Sequence, residues 1–213
     1  MVKAILFDFW GTLVENGTYS PLRQTYNILR VRMKFSEFVI KTESVLMTKP
    51  YADQASAFTE VCKAFNLEPR PFIIDKLIGV WNKNKLLAKL YPDTIPVLAE
   101  LKKEKYKLAI VSNCPNNSVT PVIEKFGLDK YFDAVLLSWE TGHLKTDKEL
   151  FELAMKKLKV KKKEDVLMVG DSIPTDIEGA KNAGINAILI DRKGAREWPE
   201  KIKDLTELKN ILK

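Results

Sequence analysis

Five short apolar segments, set apart by longer stretches of helical periodicity, constrain this chain more than any other feature. KAILFDF (3–9), KLAIVSN (107–113), DAVLLS (133–138), DVLMVGD (165–171) and NAILID (186–191) are apolar almost without interruption, and each closes on polar or turn-forming residues. A strand with one wet face alternates apolar and polar residues. A continuously apolar strand has to be covered on both faces, which is the situation of a parallel sheet between two layers of helices.

The intervening stretches supply those helices, at about residues 93–105, 117–126, 147–158 and 175–183. The third opens with Thr146 and Glu149 at capping-box spacing, and Gly127 and Gly184 stand where the second and fourth must stop. Strand and helix in repeated alternation predict an α/β fold, a Rossmann-like doubly wound parallel sheet.

Between about residues 15 and 86 the alternation fails, and no strand pattern is visible. Ser20-Pro21 forms a helix start, with the hydroxyl as cap and the proline at the first helical position, and LRQTYNILRVRM follows with helical spacing. That run places Arg23, Arg30 and Arg32 on the first helix, where they read as solvated helix charges, with contact to a substrate carboxylate or phosphate as the alternative. Ser36 and Asp53 open two more helices, and residues 70–86 form a fourth. The expected organisation is a core of residues 1–14 and 87–213 with an all-helical cap, 15–86, inserted after the first strand. Hinges are expected at Val14–Gly17 and Lys85–Pro92.

Composition narrows the function classes. With 213 residues, 46% hydrophobic and 30% charged, the chain can bury a sizeable core. No uncharged run approaches the ~18 residues of a membrane span, and Asp8 interrupts the N-terminal apolar run, so a cytoplasmic protein with no membrane partner is expected. Cys62 and Cys114 have no metal-ligand spacing. A single histidine, His143, excludes a histidine-rich metal site and disfavours Ser-His or Cys-His nucleophiles. The chemistry is left to Asp, Lys, Ser and Thr.

The net charge of +7 is spread through the chain: residues 15–86 carry 11 basic and 7 acidic residues, the remainder 24 and 21. The one dense run, Lys159 to Lys163, falls in a turn between helix and strand and reads as a solvated face. No nucleic-acid partner is expected, and the balance suits a small anionic substrate. Abundant lysine with two glutamines leans towards a thermophilic source. The pattern is compatible with a monomer or a homodimer.

In an open parallel sheet, ligands bind outside the carboxyl ends of the strands. Those ends here carry Asp8, Ser112 with Asn113, Lys145 in WETGHLK, and Asp171 with Asp176 in GDSIPTD. A nucleophile, a hydroxyl, a cation and an acidic pair are thus expected around one crevice.

DFWGTL, VSN, Lys145 and GDSIPTD, in that order and with a helical insertion after the first, resemble the four motifs of the haloacid dehalogenase superfamily, in the subgroup with a helical cap after motif one. The resemblance spans essentially the whole chain. It implies that Asp8 is a nucleophile forming an aspartyl-phosphate, and that Lys145, Ser112, Asn113 and loop N–H groups bind the transferred phosphoryl. It also implies Mg2+ as cofactor, held by the Asp8 carboxylate, an acid of motif four (Asp171, Asp176) and the backbone carbonyl of Trp10. Thr12 is expected to buttress the loop and Gly11 to permit its turn.

The sequence departs from the family pattern at Trp10. Phosphatases of this family carry Asp there, which protonates the leaving group and activates the hydrolytic water. An indole cannot transfer that proton. Three readings remain: a phosphatase or phosphotransferase with altered proton transfer, a dehalogenase-like hydrolase (dehalogenases carry an aromatic residue at this position), or a phosphate-ligand binder with little turnover. GDSIPTD is the metal-binding form of motif four and favours the first. Glu15 is a carboxylate near enough in sequence to substitute, and Trp10 itself is placed to touch the cap or the substrate.

Overall fold

The computed structural model describes residues 2–16 and 20–212; Gly17, the last residue of the expected first hinge, lies outside them. Six parallel strands form one sheet: β1 (Ala4–Phe7), β2 (Lys107–Ser112), β3 (Ala134–Leu137), β4 (Val166–Gly170), β5 (Asn186–Ile190) and β6 (Lys201–Ile202), in the order β3-β2-β1-β4-β5-β6. β1 lies at the centre, with Phe7 in register with Ile110 on one side and Val169 on the other. The chain runs outwards from β1 in one direction through β2 and β3, then returns to place β4, β5 and β6 on the other side. This reversal of strand order opens a crevice at the carboxyl end of β1. The doubly wound α/β fold expected from the apolar segments is therefore present. β6, two residues long at the sheet edge, is too short to leave a periodic signal.

Continuous apolarity has the expected consequence: alternate side chains of each strand enter two different cores. Ile5, Phe7, Leu108, Ile110, Leu167 and Val169 join one cluster, while Ala4, Leu6, Ala109, Val111, Val166 and Met168 join the other. A one-residue slip of β1 would exchange these sets, so register is fixed by packing on both faces.

Four helices precede the return to the sheet: α1 (Pro21–Leu29), α2 (Phe35–Leu46), α3 (Gln54–Ala64) and α4 (Pro71–Leu86). They enclose a third cluster, which includes Phe38, Leu46, Phe58, Val61 and Leu77. The Ser20 side chain accepts from Arg23 N–H at 3.3 Å and that of Asp53 from Ser56 N–H at 2.7 Å, as expected for caps. The first helix is shorter than LRQTYNILRVRM implies. Arg30 adopts a left-handed conformation (φ 52°) and closes it, so that of the three arginines only Arg23 lies on the helix. The second starts one residue before Ser36, with Lys34 as an N-cap that makes no side-chain bond.

The segments entering and leaving this helical insert run side by side. Glu15 N–H donates to Lys89 O (2.8 Å), Tyr91 N–H to Leu13 O (3.2 Å) and Thr94 Oγ1 to Leu13 O (2.8 Å).

The remaining helices are α5 (Thr94–Lys103), α6 (Thr120–Phe126), α7 (Ser138–Thr141), α8 (Lys148–Leu158), α9 (Glu178–Asn182) and α10 (Leu208–Ile211). The capping box expected at Thr146 and Glu149 does not form. Asp147 occupies the N-cap of α8 and turns its carboxylate back to Leu144 N–H (2.9 Å), which tightens the loop carrying Lys145. Gly127 and Gly184 do end their helices with positive φ. No helix among the described residues is long and apolar enough to cross a membrane.

Phe38 is fully buried and stacks with the Phe65 ring at 5.0 Å between centroids. Phe38→Ala is expected to destabilise the insert by about 3–5 kcal/mol, read as a lower urea midpoint of the far-ultraviolet circular dichroism transition; an unchanged midpoint would contradict the packing described.

Candidate active site

Asp8, Asn113 and Asp171 are delivered by the ends of the central strands β1, β2 and β4, and Lys145 by the loop beyond the edge strand β3. Asp8 follows β1 directly, and its N–H still bonds Val169 O at 2.9 Å, so its position is set by the sheet. The next turn is closed by Gly11 N–H to Val14 O (2.6 Å) and by the Leu13 and Val14 N–H groups to Phe9 O (3.0 Å each). The Trp10 carbonyl stays outside this bonding. Gly11 has φ 87°, and a Cβ there would strike the Asp171 carboxylate. Thr12 Oγ1 donates to Asp8 Oδ2 at 3.1 Å and orients the carboxylate.

Lys145 reaches this carboxylate from beyond β3. Its Nζ lies 2.5 Å from Asp8 Oδ1 and 2.5 Å from Asp176 Oδ1, and the three side chains are almost completely withdrawn from solvent. Asp176 follows β4 on a wide helical turn, Ile173–Ile177, and its Oδ2 accepts from Ser172 N–H at 2.9 Å. Gly170 at the end of β4 is required by this approach, because a Cβ there would overlap the Asp176 carboxylate. Asn113, after β2, accepts from Lys145 N–H through Oδ1 at 2.9 Å. Ser112 is buried and lines the same cavity, of about 380 Å³, as Asp8, Trp10, Asn113 and Lys145.

The electrostatics follow from three carboxylates meeting in a poorly hydrated place. Burial pushes Asp8 up to about 7, against the pull of Lys145 and with the push of Asp176 and Asp171. Burial, then Asp176, raises Asp171 to about 6, opposed by Arg196 and Lys145. Burial would lower the Lys145 ammonium, but Asp176 and Asp8 overturn that and hold it well above its usual range. Lys145 is therefore a permanent cation.

Oxygens of Asp8, Asp171 and Asp176 lie within 4.8 Å of one another, and Asp176 Oδ1, although buried and close to Lys145, makes no aligned hydrogen bond. An oxygen-only donor set of three clustered carboxylates fits a hard divalent cation.

All the residues singled out in the sequence, Asp8, Trp10, Thr12, Ser112, Asn113, Lys145, Asp171 and Asp176, fall at this crevice. Glu15 does not: it lines two neighbouring cavities and not the one containing Asp8. His143 is also absent from the lining, and most of the lysine run at 159–163 is exposed.

Two charged groups escaped the sequence reading. Arg196, from the segment after β5, reaches Asp171 Oδ2 at 3.3 Å. Glu43, on α2 of the insert, accepts from Asn113 Nδ2 at 3.0 Å and lines the cavity. Arg196 follows no motif. Glu43 did leave a signal, since Val39, Glu43 and Met47 recur at four-residue spacing and all face the cavity, a carboxylate interrupting an apolar stripe.

The fold and the strand-end geometry define a hydrolase of one family. Residues 2–184 match the model of the haloacid dehalogenase-like hydrolase family, and the chain belongs to it. It is 28% identical to the glyceraldehyde 3-phosphate phosphatase of Methanothermobacter thermautotrophicus, with all of both chains covered. It is also 28% identical to (S)-2-haloacid dehalogenase 2 of a Pseudomonas species, over 99% of this chain and 96% of that one. The crystal structure of a HAD phosphatase from Thermococcus onnurineus superposes with a TM-score of 0.66 at 29% identity, covering 99% of this chain and 98% of the other.

Both cysteines are buried, and burial pushes their thiols up, that of Cys114 despite Lys145 nearby. Thiolate is thus scarce at pH 8. Iodoacetamide is expected to leave Cys62 and Cys114 unmodified in the native protein and to alkylate both in denaturant; rapid native labelling of Cys114 would mean that the loop after β2 is open.

Proposed function

We propose that this hydrolase is a phosphatase or phosphotransferase for small phosphorylated metabolites, dependent on Mg2+ and acting through an aspartyl-phosphate on Asp8. The observation that carries the proposal is the contact of one buried ammonium, Lys145, with both Asp8 and Asp176, beside the third carboxylate of Asp171. A nucleophilic carboxylate alone serves several reactions. Two additional acids within reach of it serve a bound cation, and through it a phosphoryl group.

In this reading Asp8, Asp171, Asp176 and the Trp10 carbonyl hold Mg2+, which when bound neutralises the acids and screens the charge of the incoming phosphate. An Asp8 oxygen, oriented by Thr12, attacks phosphorus in line with the leaving oxygen. Lys145 and the Ser112 hydroxyl stabilise the equatorial oxygens, and Asn113 fixes Lys145 through its backbone. The helical insert, residues 15–86, acts as the cap that closes the cavity, excludes water and selects the substrate, and residues 1–14 and 87–213 form the catalytic core. Asp8, Trp10, Asn113 and Glu43 share a cavity of about 380 Å³, the scale of a small metabolite rather than a polymer.

One observation favours a second reading. Trp10 lines the cavity where an acid is expected, and a named haloacid dehalogenase shares 28% identity with this chain, the same percentage as a named phosphatase. Chloride release from a 2-haloacid without metal distinguishes this dehalogenase alternative.

Inorganic phosphate release from p-nitrophenyl phosphate is expected in Mg2+ and not in EDTA. Asp8→Asn is expected to reduce it by at least about 10³-fold with the thermal midpoint retained or raised, because a carboxylate disfavoured by burial has been replaced. Full activity in EDTA would remove the metal from the proposal, and activity of Asp8→Asn would remove the nucleophile.

A further inference from the structure

Trp10 leaves the proposed chemistry without a proton carrier, and Glu15 points to other cavities. The titratable groups lining the cavity around Asp8 are Asp8, Glu43, Cys114, Lys145, Asp171, Asp176 and Arg196. Asp8, Lys145 and Asp176 are joined in ion pairs, and Asp171 is paired with Arg196. Cys114 is shut in by burial. Glu43 stands apart as a carboxyl that belongs neither to the nucleophile nor to the acid cluster.

Its placement is fixed from both sides. Phe38, Thr42 and Leu46 bury one face of α2 in the insert, which directs the Val39, Glu43, Met47 stripe into the cavity. Asn113 holds one Glu43 oxygen through Nδ2 while its own Oδ1 is held by Lys145 N–H, so the amide orientation is determined by two bonds. The other Glu43 oxygen makes no hydrogen bond among the described residues, and it is this atom that is available to a ligand.

We propose that Glu43 is the general acid and base that position 10 lacks, an assignment that rests on the phosphohydrolase reading above. In the first step Asp8 Oδ forms a bond to phosphorus, the bond from phosphorus to the ester oxygen breaks, and the Glu43 carboxyl passes its proton to that leaving oxygen. In the second, the Glu43 carboxylate takes a proton from water as the water oxygen bonds to phosphorus. The acyl phosphate bond then breaks, releasing inorganic phosphate and free Asp8, with Glu43 protonated again.

The environment suits both roles. Burial raises the Glu43 carboxyl above its ordinary range, with Asp176 adding to the effect and Asn113 and Lys145 opposing it. The charged groups that act on it are thus the Lys145 ammonium and the Asp176 carboxylate, both from the core.

The test compares wild type, Glu43→Gln and Glu43→Gln with Trp10→Asp, on p-nitrophenyl phosphate and on glycerol phosphate. Gln keeps the acceptor for Asn113, so a merely structural role predicts no change. The assignment predicts a loss of about 10²–10⁴-fold on the alkyl ester, which needs the acid. With p-nitrophenyl phosphate, whose leaving group needs none, it predicts a burst of nitrophenol near one equivalent, then slow turnover as phospho-enzyme accumulates. Trp10→Asp in the same background should restore alkyl ester hydrolysis. Wild type alone should show a shallow dependence of kcat/KM on leaving-group basicity, which tests the assignment even if Glu43→Gln does not fold. Wild-type turnover with unchanged Glu43→Gln kinetics, equal losses on both esters without a burst, or a steep wild-type dependence would overturn the role of Glu43 alone. Absence of any wild-type phosphatase activity would overturn the phosphohydrolase reading with it.

Discussion

The site depends on one buried ammonium. Lys145 Nζ touches carboxylates delivered by two different strands, Asp8 after β1 and Asp176 after β4, at 2.5 Å each. Breaking a buried ion pair by removing one partner costs about 3–5 kcal/mol, so this ammonium is a structural requirement of the site. The same residue ties the insert to the core. Its N–H is held by Asn113, and its neighbour Leu144 packs into the cluster of the helical insert. The backbone that carries the buried ammonium is thus packed against both the sheet and the insert.

Three carboxylates against Lys145 and Arg196 still leave an excess of negative charge. This imbalance adds to the effect of burial at Asp8 and Asp171, and it is the kind of excess that a bound cation would offset. A fourth carboxylate at position 10 would enter the same turn. With Trp10 there, the added side chain is neutral, and it packs edge-on against Phe9 at 5.3 Å while lining the cavity.

What the sequence revealed was whatever repeats or has local chemistry. Continuous apolarity identified the five longer strands because each must be covered twice, and strand ends then located Asp8, Ser112, Asn113, Lys145, Asp171 and Asp176 together. Contacts set by tertiary geometry were illegible. Arg196 lies 25 residues from Asp171 in a segment without periodicity, and Glu43 meets Asn113 across 70 residues. The Thr146–Glu149 capping box failed for a related reason: Asp147 at the actual cap is committed to Leu144 N–H, so the demand of the Lys145 loop outweighed a local helix preference. Arg30 likewise ended α1 in a left-handed turn that its residue type does not announce.

The proposed transfer of the proton-carrying role from position 10 to α2 would change what the insert does. An acid on the strand-end turn is present whether or not the insert is in place. A proposed acid at Glu43 would reach a substrate only while α2 stays on the loop after β2, held there by Asn113 and by the Asn116 Nδ2 bond to Tyr51 O at 3.0 Å. Under that proposal nucleophile and acid come from separate structural units, Asp8 from the sheet and Glu43 from α2. The proposed role of Glu43 would make hydrolysis depend on the placement of α2 for its chemistry as well as for substrate retention.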